Sequence, residues 1–258
     1  MPPTGPLTGR IALVTGISRD LSIAATVARR LHELGAVVHA TGWPTRDREM
    51  PWGHQPLSPL PFTVHQHDLE QAETNHTLID EVIDAHGRLD IVVAAHARSS
   101  FQPLSEVEAT ELDRGWAVNV RSIVLLAQRF AQVHEPAPPA EPPSGRMIWF
   151  TSGQHIAPMG TEIAYAVSKG ALHQMTATIN HSLSESRIVA NCINPGPVDT
   201  GYDEGDAHHA VRSRFPDQRW GTPDDIGNLV EFLATDSGGW IRGQVINAEG
   251  GFDRFNQP

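Results

Sequence analysis

The chain has 258 residues, 40% of them hydrophobic, and a formal net charge of -11 at pH 7. Length and apolar content suffice for a full core in one domain spanning residues 1–258. The acidic balance, with no dense Lys/Arg run, excludes an electrostatic nucleic-acid footprint or an anionic-membrane surface, so the expected partner is a small molecule. The lone cysteine, Cys192, rules out an intrachain disulfide and reads as a buried thiol in a reducing compartment. Met1-Pro2-Pro3-Thr4-Gly5-Pro6 shows no basic stretch followed by an apolar one. No run nears the roughly 18 apolar residues of a membrane span, and a cytoplasmic protein is expected.

Short β-rich apolar runs alternate with longer helical patterns. This predicts an α/β fold of the Rossmann type, a doubly wound parallel sheet of about seven strands with helices on both faces. The first strand, residues 11–15, enters Gly16-Ile17-Ser18-Arg19-Asp20-Leu21-Ser22-Ile23-Ala24 and a helix over 22–34, which Gly35 closes. A dinucleotide fold sets pyrophosphate against backbone N–H groups and a helix N-terminus at such a turn. An ordinary strand-to-helix connection fits equally well, since Asp20 and Ser22 stand where glycines are usual and only Gly16 remains. Ser22 is expected to cap the helix and donate its hydroxyl to a phosphate oxygen. Asp20 repels phosphate unless it points outward or pairs with Arg19.

Further strands are expected at 37–41, 62–65, 91–95, 147–151, 189–193 and 244–247, and helices at 71–86, 114–133 and 164–184. Residues 43–61 carry prolines and tryptophans without helical period and read as an irregular connection, where a doubly wound fold places a short helix or loop. Residues 135–144 hold five prolines and read as an exposed loop. Trp149 and Trp240 are expected to be packing residues. A mobile polar lid over the substrate is expected at 201–220, with Asp203, Glu204, Asp206, His208 and His209, then Arg212 and Arg214. No metal site is expected from them, because adjacent histidines do not share a helix face.

Ser152, twelve intervening residues, then Tyr165-Ala166-Val167-Ser168-Lys169 form the most specific segment. It resembles the catalytic arrangement of the short-chain dehydrogenase/reductase family, a resemblance running from near residue 10 to near residue 252. On a helix, positions i and i+4 share a face, so Lys169 can lie beside Tyr165. A phenol of pKa about 10 needs an adjacent ammonium before it can exchange protons near neutrality. The resemblance implies that Lys169 does this and binds the nicotinamide ribose, that Ser152 holds the substrate carbonyl oxygen, and that Tyr165 exchanges the proton. It also matches Asn119, in Ala117-Val118-Asn119-Val120, to the family's helix asparagine on a water-linked proton path to the lysine.

The resemblance further implies a cofactor seat. It comprises Gly16, Ser18, Arg19, Ser22 and Ile23 at the turn, Asp68 and Leu69 at the adenine, Ala95, Tyr165 and Lys169, and Pro195, Gly196, Val198 and Thr200 in a loop against the nicotinamide. Residues 221–234 and 243–251 resemble the family's C-terminal, mostly structural, signature. Where most relatives carry Asn-Asn-Ala-Gly, this chain has Ala94-Ala95-His96-Ala97, which implies a repacked cofactor seat with His96 as ligand contact or structural histidine. The turn at Gly16 is closer to the enoyl-acyl-carrier-protein reductases. Those enzymes separate Tyr and Lys by six residues, and here the residue seven before Lys169 is Glu162.

His39-Ala40-Thr41-Gly42-Trp43, at the second strand's end, lacks the carboxylate of NAD-preferring relatives, whereas Arg19 and Arg46 can meet a 2′-phosphate. NADP(H) is therefore expected, with NAD(H) possible. The leading expectation is an NADP-dependent ketoreductase acting on a carbonyl or secondary alcohol. The alternatives are an enoyl-thioester reductase and a non-catalytic nucleotide-binding or scaffold protein. A homo-oligomer, dimer or tetramer, is implied by the resemblance.

Overall fold

The computed structural model describes residues 3–50, 53, 56–139, 141, 144–201 and 206–255. Its centre is a parallel seven-stranded sheet ordered β3-β2-β1-β4-β5-β6-β7. The strands are β1 (Ile11–Thr15), β2 (Val37–Gly42), β3 (Val64–Gln66), β4 (Ile91–Ala94), β5 (Gly145–Phe150), β6 (Ile188–Asn194) and β7 (Val245–Asn247). The helices are α1 (Ile23–Glu33), α2 (Pro44–Glu49), α3 (Ala72–His86), α4 (Ala109–Trp116), α5 (Ser122–Val133), α6 (Ile163–Ser182), α7 (Asp206–Arg212) and α8 (Pro223–Ala234).

Helices cover both faces, which is why the central strands read as unbroken apolar runs rather than alternating ones. Side chains still alternate in direction along each strand. Ala12 and Val14 of β1 enter one core with Ala28 and Leu31 of α1 and Val230 of α8. Ile11 and Leu13 enter the other, with Leu78 of α3, Leu126 of α5 and Leu172 of α6. Trp149 is wholly buried in this second core. Trp240, expected to pack, is instead 90% exposed, because it lies past the last turn of α8.

The chain winds outward from β1 to β3 and then returns to place β4 on the other side of β1. Chain connections leave in opposite directions at that point, opening a crevice at the carboxyl ends of β1 and β4.

The ends of elements follow their residues. Ser22 caps α1 in extended conformation and accepts from the Ala25 N–H. Gly35 follows it at φ +100°, a conformation that costs other residues a steric clash. Thr222 and Asp225 form a capping box on α8, with proline at its start.

Several expected boundaries shift. Residues 43–61 do contain a short helix, α2, which starts on Pro44 because proline fixes φ and lacks the N–H that a first turn leaves unused. The edge strand β3 covers 64–66, the stretch that pairs with Ala40–Gly42 of β2. The helix expected over 114–133 starts earlier and is interrupted by a π turn at Ala117–Arg121, whose side-chain bonds are described below. Of the expected lid, Asp203 and Glu204 lie outside the described residues, as do Pro142 and Pro143 of the proline loop. No helix among the described residues is long and apolar enough to cross a membrane.

Candidate active site

The turn after β1 is pinned to the end of β2: the N–H groups of Gly16 and Ile17 donate to the Thr41 carbonyl at 2.9 and 3.0 Å. Gly16 has φ +92°, and a Cβ there would fall 2.6 Å from the His96 amide nitrogen. Only glycine lets the β1 turn and the β4 loop approach this closely. Asp20 does not face the crevice. It binds Arg29 at 2.9 Å and the Ser58 amide and hydroxyl, and the Ser58 hydroxyl above all holds its carboxyl below the usual range. The partner of Asp20 is thus Arg29, not Arg19.

Ser22 departs from expectation in one respect. Its hydroxyl proton goes to the Arg19 carbonyl at 2.7 Å while its oxygen accepts from Ala25, so it caps the helix and has no proton to offer a phosphate.

A cleft of about 520 Å³ opens over this turn. It is lined by Gly16, Ser18, Arg19, Ser22, Ile23, Asp68, Leu69, Ala95, Tyr165, Lys169, Pro195 and Thr200. Asn119, Ser152, Gly196 and Val198 lie outside that lining. Gly196 instead packs on Glu249, and Val198 bridges to Gly221.

At the cleft floor, Lys169 Nζ donates to the Phe150 carbonyl at 2.9 Å and lies 5.5 Å from the centre of the Tyr165 ring. Thr151 Oγ1 donates back to the Lys169 carbonyl at 2.7 Å, so α6 is fastened to the end of β5 from both sides. Lys169 is 2% exposed, and burial pushes its ammonium down to about 8. The same burial lifts the Cys192 thiol to about 12, leaving it an inert core residue. Ser152 continues from β5 in extended conformation, and among the described residues its hydroxyl meets only the Met159 sulfur at 3.8 Å, a weak acceptor. Tyr165, on the first turn of α6, is half-buried.

Asn119 is buried in the π turn. Its Oδ1 accepts from the Arg98 N–H at 2.7 Å, and its Nδ2 donates to the Arg98 carbonyl and the Ser168 hydroxyl. Ser168 in turn donates to the Tyr165 carbonyl at 2.8 Å. The asparagine side chain therefore ties the β4 loop to the helical turn bearing Tyr165.

His96 supplies a second tie. Thr15 Oγ1 donates to its Nδ1 at 2.6 Å, and its Nε2 reaches the Val118 carbonyl at 3.1 Å and Ser122 Oγ at 2.7 Å. The acceptor carbonyl fixes the proton on Nε2. Burial, with the nearby Lys169 charge, pushes the ring down to about 3, so it stays neutral. His96 thus bonds the end of β1 to the π turn.

The cleft also holds residues that the strand-end reading missed. Asp47 and Glu49 enter it from α2, with Arg19 Nε 3.9 Å from Asp47. Their proximity became visible only with α2, whose six residues carry too little period to announce a helix. Arg98 lines the cleft and is held bidentately by Glu111 at 2.7 and 2.8 Å.

A family profile described as Enoyl-(Acyl carrier protein) reductase matches residues 16–253. An oxidoreductase of Bacillus subtilis (strain 168), YjdA, described as uncharacterized, is 33% identical over 247 residues, covering 95% of this chain and 97% of that protein. The chain belongs to the short-chain dehydrogenase/reductase family. Two solved members superpose closely. A short-chain dehydrogenase of Burkholderia cenocepacia J2315, in complex with NADP, gives a TM-score of 0.80 at 28% identity, covering 96% of this chain and 99% of that one. The angucycline C-6 ketoreductase LanV with bound NADP gives 0.79 at 26%, covering 96% and 97%.

This short-chain dehydrogenase/reductase is therefore an NAD(P)-dependent enzyme, and the non-catalytic alternative falls away. Its cleft fits a dinucleotide on its own features. The first-turn residues Ile23 and Ala24 line it, where helix N–H groups lack intrahelical partners. Arg46, also in the lining, has its Nε buried without a hydrogen-bond partner among the described residues.

Proposed function

We propose that the enzyme is an NADP-linked ketoreductase, interconverting a carbonyl and a secondary alcohol. The observation that carries this reading is the buried Lys169 ammonium beside the Tyr165 ring, on the helix turn facing the strand end that bears Ser152. In this reading Ser152 donates to the carbonyl oxygen and polarises it. Tyr165 gives that oxygen its proton in reduction and takes it back in oxidation. Lys169, protonated below about 8, stabilises the phenolate that forms and holds the nicotinamide ribose. A nicotinamide dinucleotide bound in the cleft supplies or accepts the hydride. Asn119 acts by position, holding the Arg98 loop against the Tyr165 turn. Gly16, Ser18, Ile23, Asp68, Leu69, Ala95, Pro195 and Thr200 hold the dinucleotide, with Gly196 and Val198 shaping the loop behind it.

Arg19 and Arg46 support the preference for NADP(H), since no carboxylate closes β2 and both arginines line the cleft. The NADP-bound relatives favour the same choice. Residues 201–220 serve as the substrate lid of a single domain, and a dimer or tetramer is the working state. An enoyl-thioester reductase is the second reading, motivated by the profile's description and the turn at Gly16. Against it, Glu162 is the residue preceding α6 and offers no phenol seven residues before Lys169.

The test is a screen of ketones and a crotonyl thioester with NADPH and NADH, followed at the nicotinamide absorbance. Ketone turnover favouring NADPH supports the proposal. Turnover of the thioester alone would overturn it.

A further inference from the structure

Near the carboxyl end of the described chain, Glu249 and Arg254 flank a turn closed by a bond from the Phe252 N–H to the Glu249 carbonyl at 3.0 Å. Their side chains form an ion pair: Arg254 Nε lies 3.1 and 3.3 Å from the two Glu249 oxygens, and Nη2 also donates to Oε1. The pair is mostly enclosed, the arginine side chain 14% and the glutamate 10% exposed.

It touches both loops that frame the reacting centre. Glu249 Oε1 accepts from Asn194 Nδ2 at 2.9 Å, and a Cβ on Gly196 would fall 2.9 Å from the glutamate's Cα. Arg254 lies against Gly153, the residue after Ser152, where a Cβ would fall 2.0 Å from its Cζ. With consecutive Cα atoms about 3.8 Å apart, the guanidinium stands within roughly 7–8 Å of the Ser152 Cα. The arm is also held over the Phe252 ring, at 5.3 Å from its centre, and that ring packs on Phe215.

The donors of Arg254 are unequally used. Nε and Nη2 go to Glu249, and Nη1 has no hydrogen-bond partner among the described residues. Charge then decides what Nη1 suits. Glu249 already neutralises the guanidinium, so a carboxylate arriving at Nη1 meets a neutral pair and the close repulsion of Glu249. An uncharged carbonyl oxygen meets a donor polarised by its charge and no such repulsion.

We propose that Arg254 is a specificity-determining residue, donating through Nη1 to a second, uncharged carbonyl oxygen two or three bonds from the reacting one. Neutral dicarbonyl compounds such as 3-oxo esters are then the preferred substrates. Glu249 is a positioning residue that aims the guanidinium and removes its charge. The proposal rests on the carbonyl-reductase reading above.

The test uses the full chain with NADPH and three probes: ethyl 3-oxobutanoate, 3-oxobutanoate and 2-pentanone. The ester is expected to exceed each of the others in kcat/KM by about tenfold, mainly through KM, the effect of one hydrogen bond to a charged donor. Arg254→Ala collapses the ester-to-ketone ratio toward one, and because both rates are read in one variant, a shared loss of activity cancels. Glu249→Gln keeps the shape but uncovers the charge, so the acid gains on the ester by about tenfold. Calorimetric binding of ethyl 3-oxobutanoate to the NADP+-saturated protein, a pair between which no hydride can pass, weakens in Arg254→Ala. A flat ratio in the wild type, or ratios unchanged in both variants, would overturn the role of Arg254 while leaving the ketoreductase reading intact. No turnover of any probe with either reduced nucleotide would overturn both.

Discussion

Lys169 Nζ donates to the carbonyl oxygen of Phe150 at 2.9 Å. The bond anchors the ammonium to the strand end that leads to Ser152, and burial there pushes its pKa down to about 8. The charge that assists Tyr165 is therefore present at neutral pH and lost just above it. The kcat/KM for carbonyl reduction is expected to fall as pH rises through about 8, by up to roughly tenfold per unit. A profile level to beyond pH 10 would contradict this. Stability responds in the opposite sense: the unfolded lysine keeps its proton up to 10.5, so between about 8 and 10.5 this group makes folding more favourable as pH rises.

Two histidines contribute most to the acid limit. His96 is pushed down to about 3 and His39, stacked on His65 at 4.5 Å, to about 4, both first by burial, from an ordinary 6.5. The unfolded chain takes up these protons below 6.5 while the folded chain refuses them. Stability contributed by the neutral rings is complete above 6.5 and lost as pH falls toward 4. With two protons linked, the slope approaches about 2–3 kcal/mol per pH unit. Urea unfolding at stepped pH measures it, and His39→Gln should roughly halve it.

The glycine after β1 tests the close approach of two loops. Gly16→Ala combines a φ of +92° with a Cβ 2.6 Å from the His96 amide nitrogen, backbone against backbone, so neither side can yield cheaply. A loss of about 2–4 kcal/mol is expected in denaturant unfolding, with weakened dinucleotide binding. Unchanged stability would mean that the turn relaxes freely.

Arg19 tests the cofactor preference. Arg19→Ala should weaken NADP+ binding, read by calorimetry, by about tenfold or more while NAD+ binding changes only a few-fold. Equal losses for both nucleotides would assign Arg19 to the pyrophosphate or to Asp47 instead.

Much of this was legible in the sequence for identifiable reasons. The strand that became β1 was read at its observed ends, because its residues are apolar throughout and turn residues follow it. The Tyr165 to Lys169 spacing carried over directly, since a helix converts four positions into one shared face. The break at Ala117–Arg121 was not legible: it depends on bonds from Asn119 to Arg98, 21 residues earlier, and from Ser122 to His96. The environment of Asp20 likewise turned on Ser58, 38 residues later, and no local pattern announces such a partner. Ser22 could be read as a cap, but where its single proton goes is a matter of geometry alone.

The central claim is that Tyr165 exchanges the proton with a carbonyl oxygen, and Tyr165→Phe tests it most directly. The substitution removes one oxygen and keeps the ring. Ketone turnover is expected to fall by about 10²–10⁴-fold, while NADP+ binding by calorimetry stays within a few-fold of the wild type. Turnover retained at the wild-type rate, with binding intact, would contradict the account.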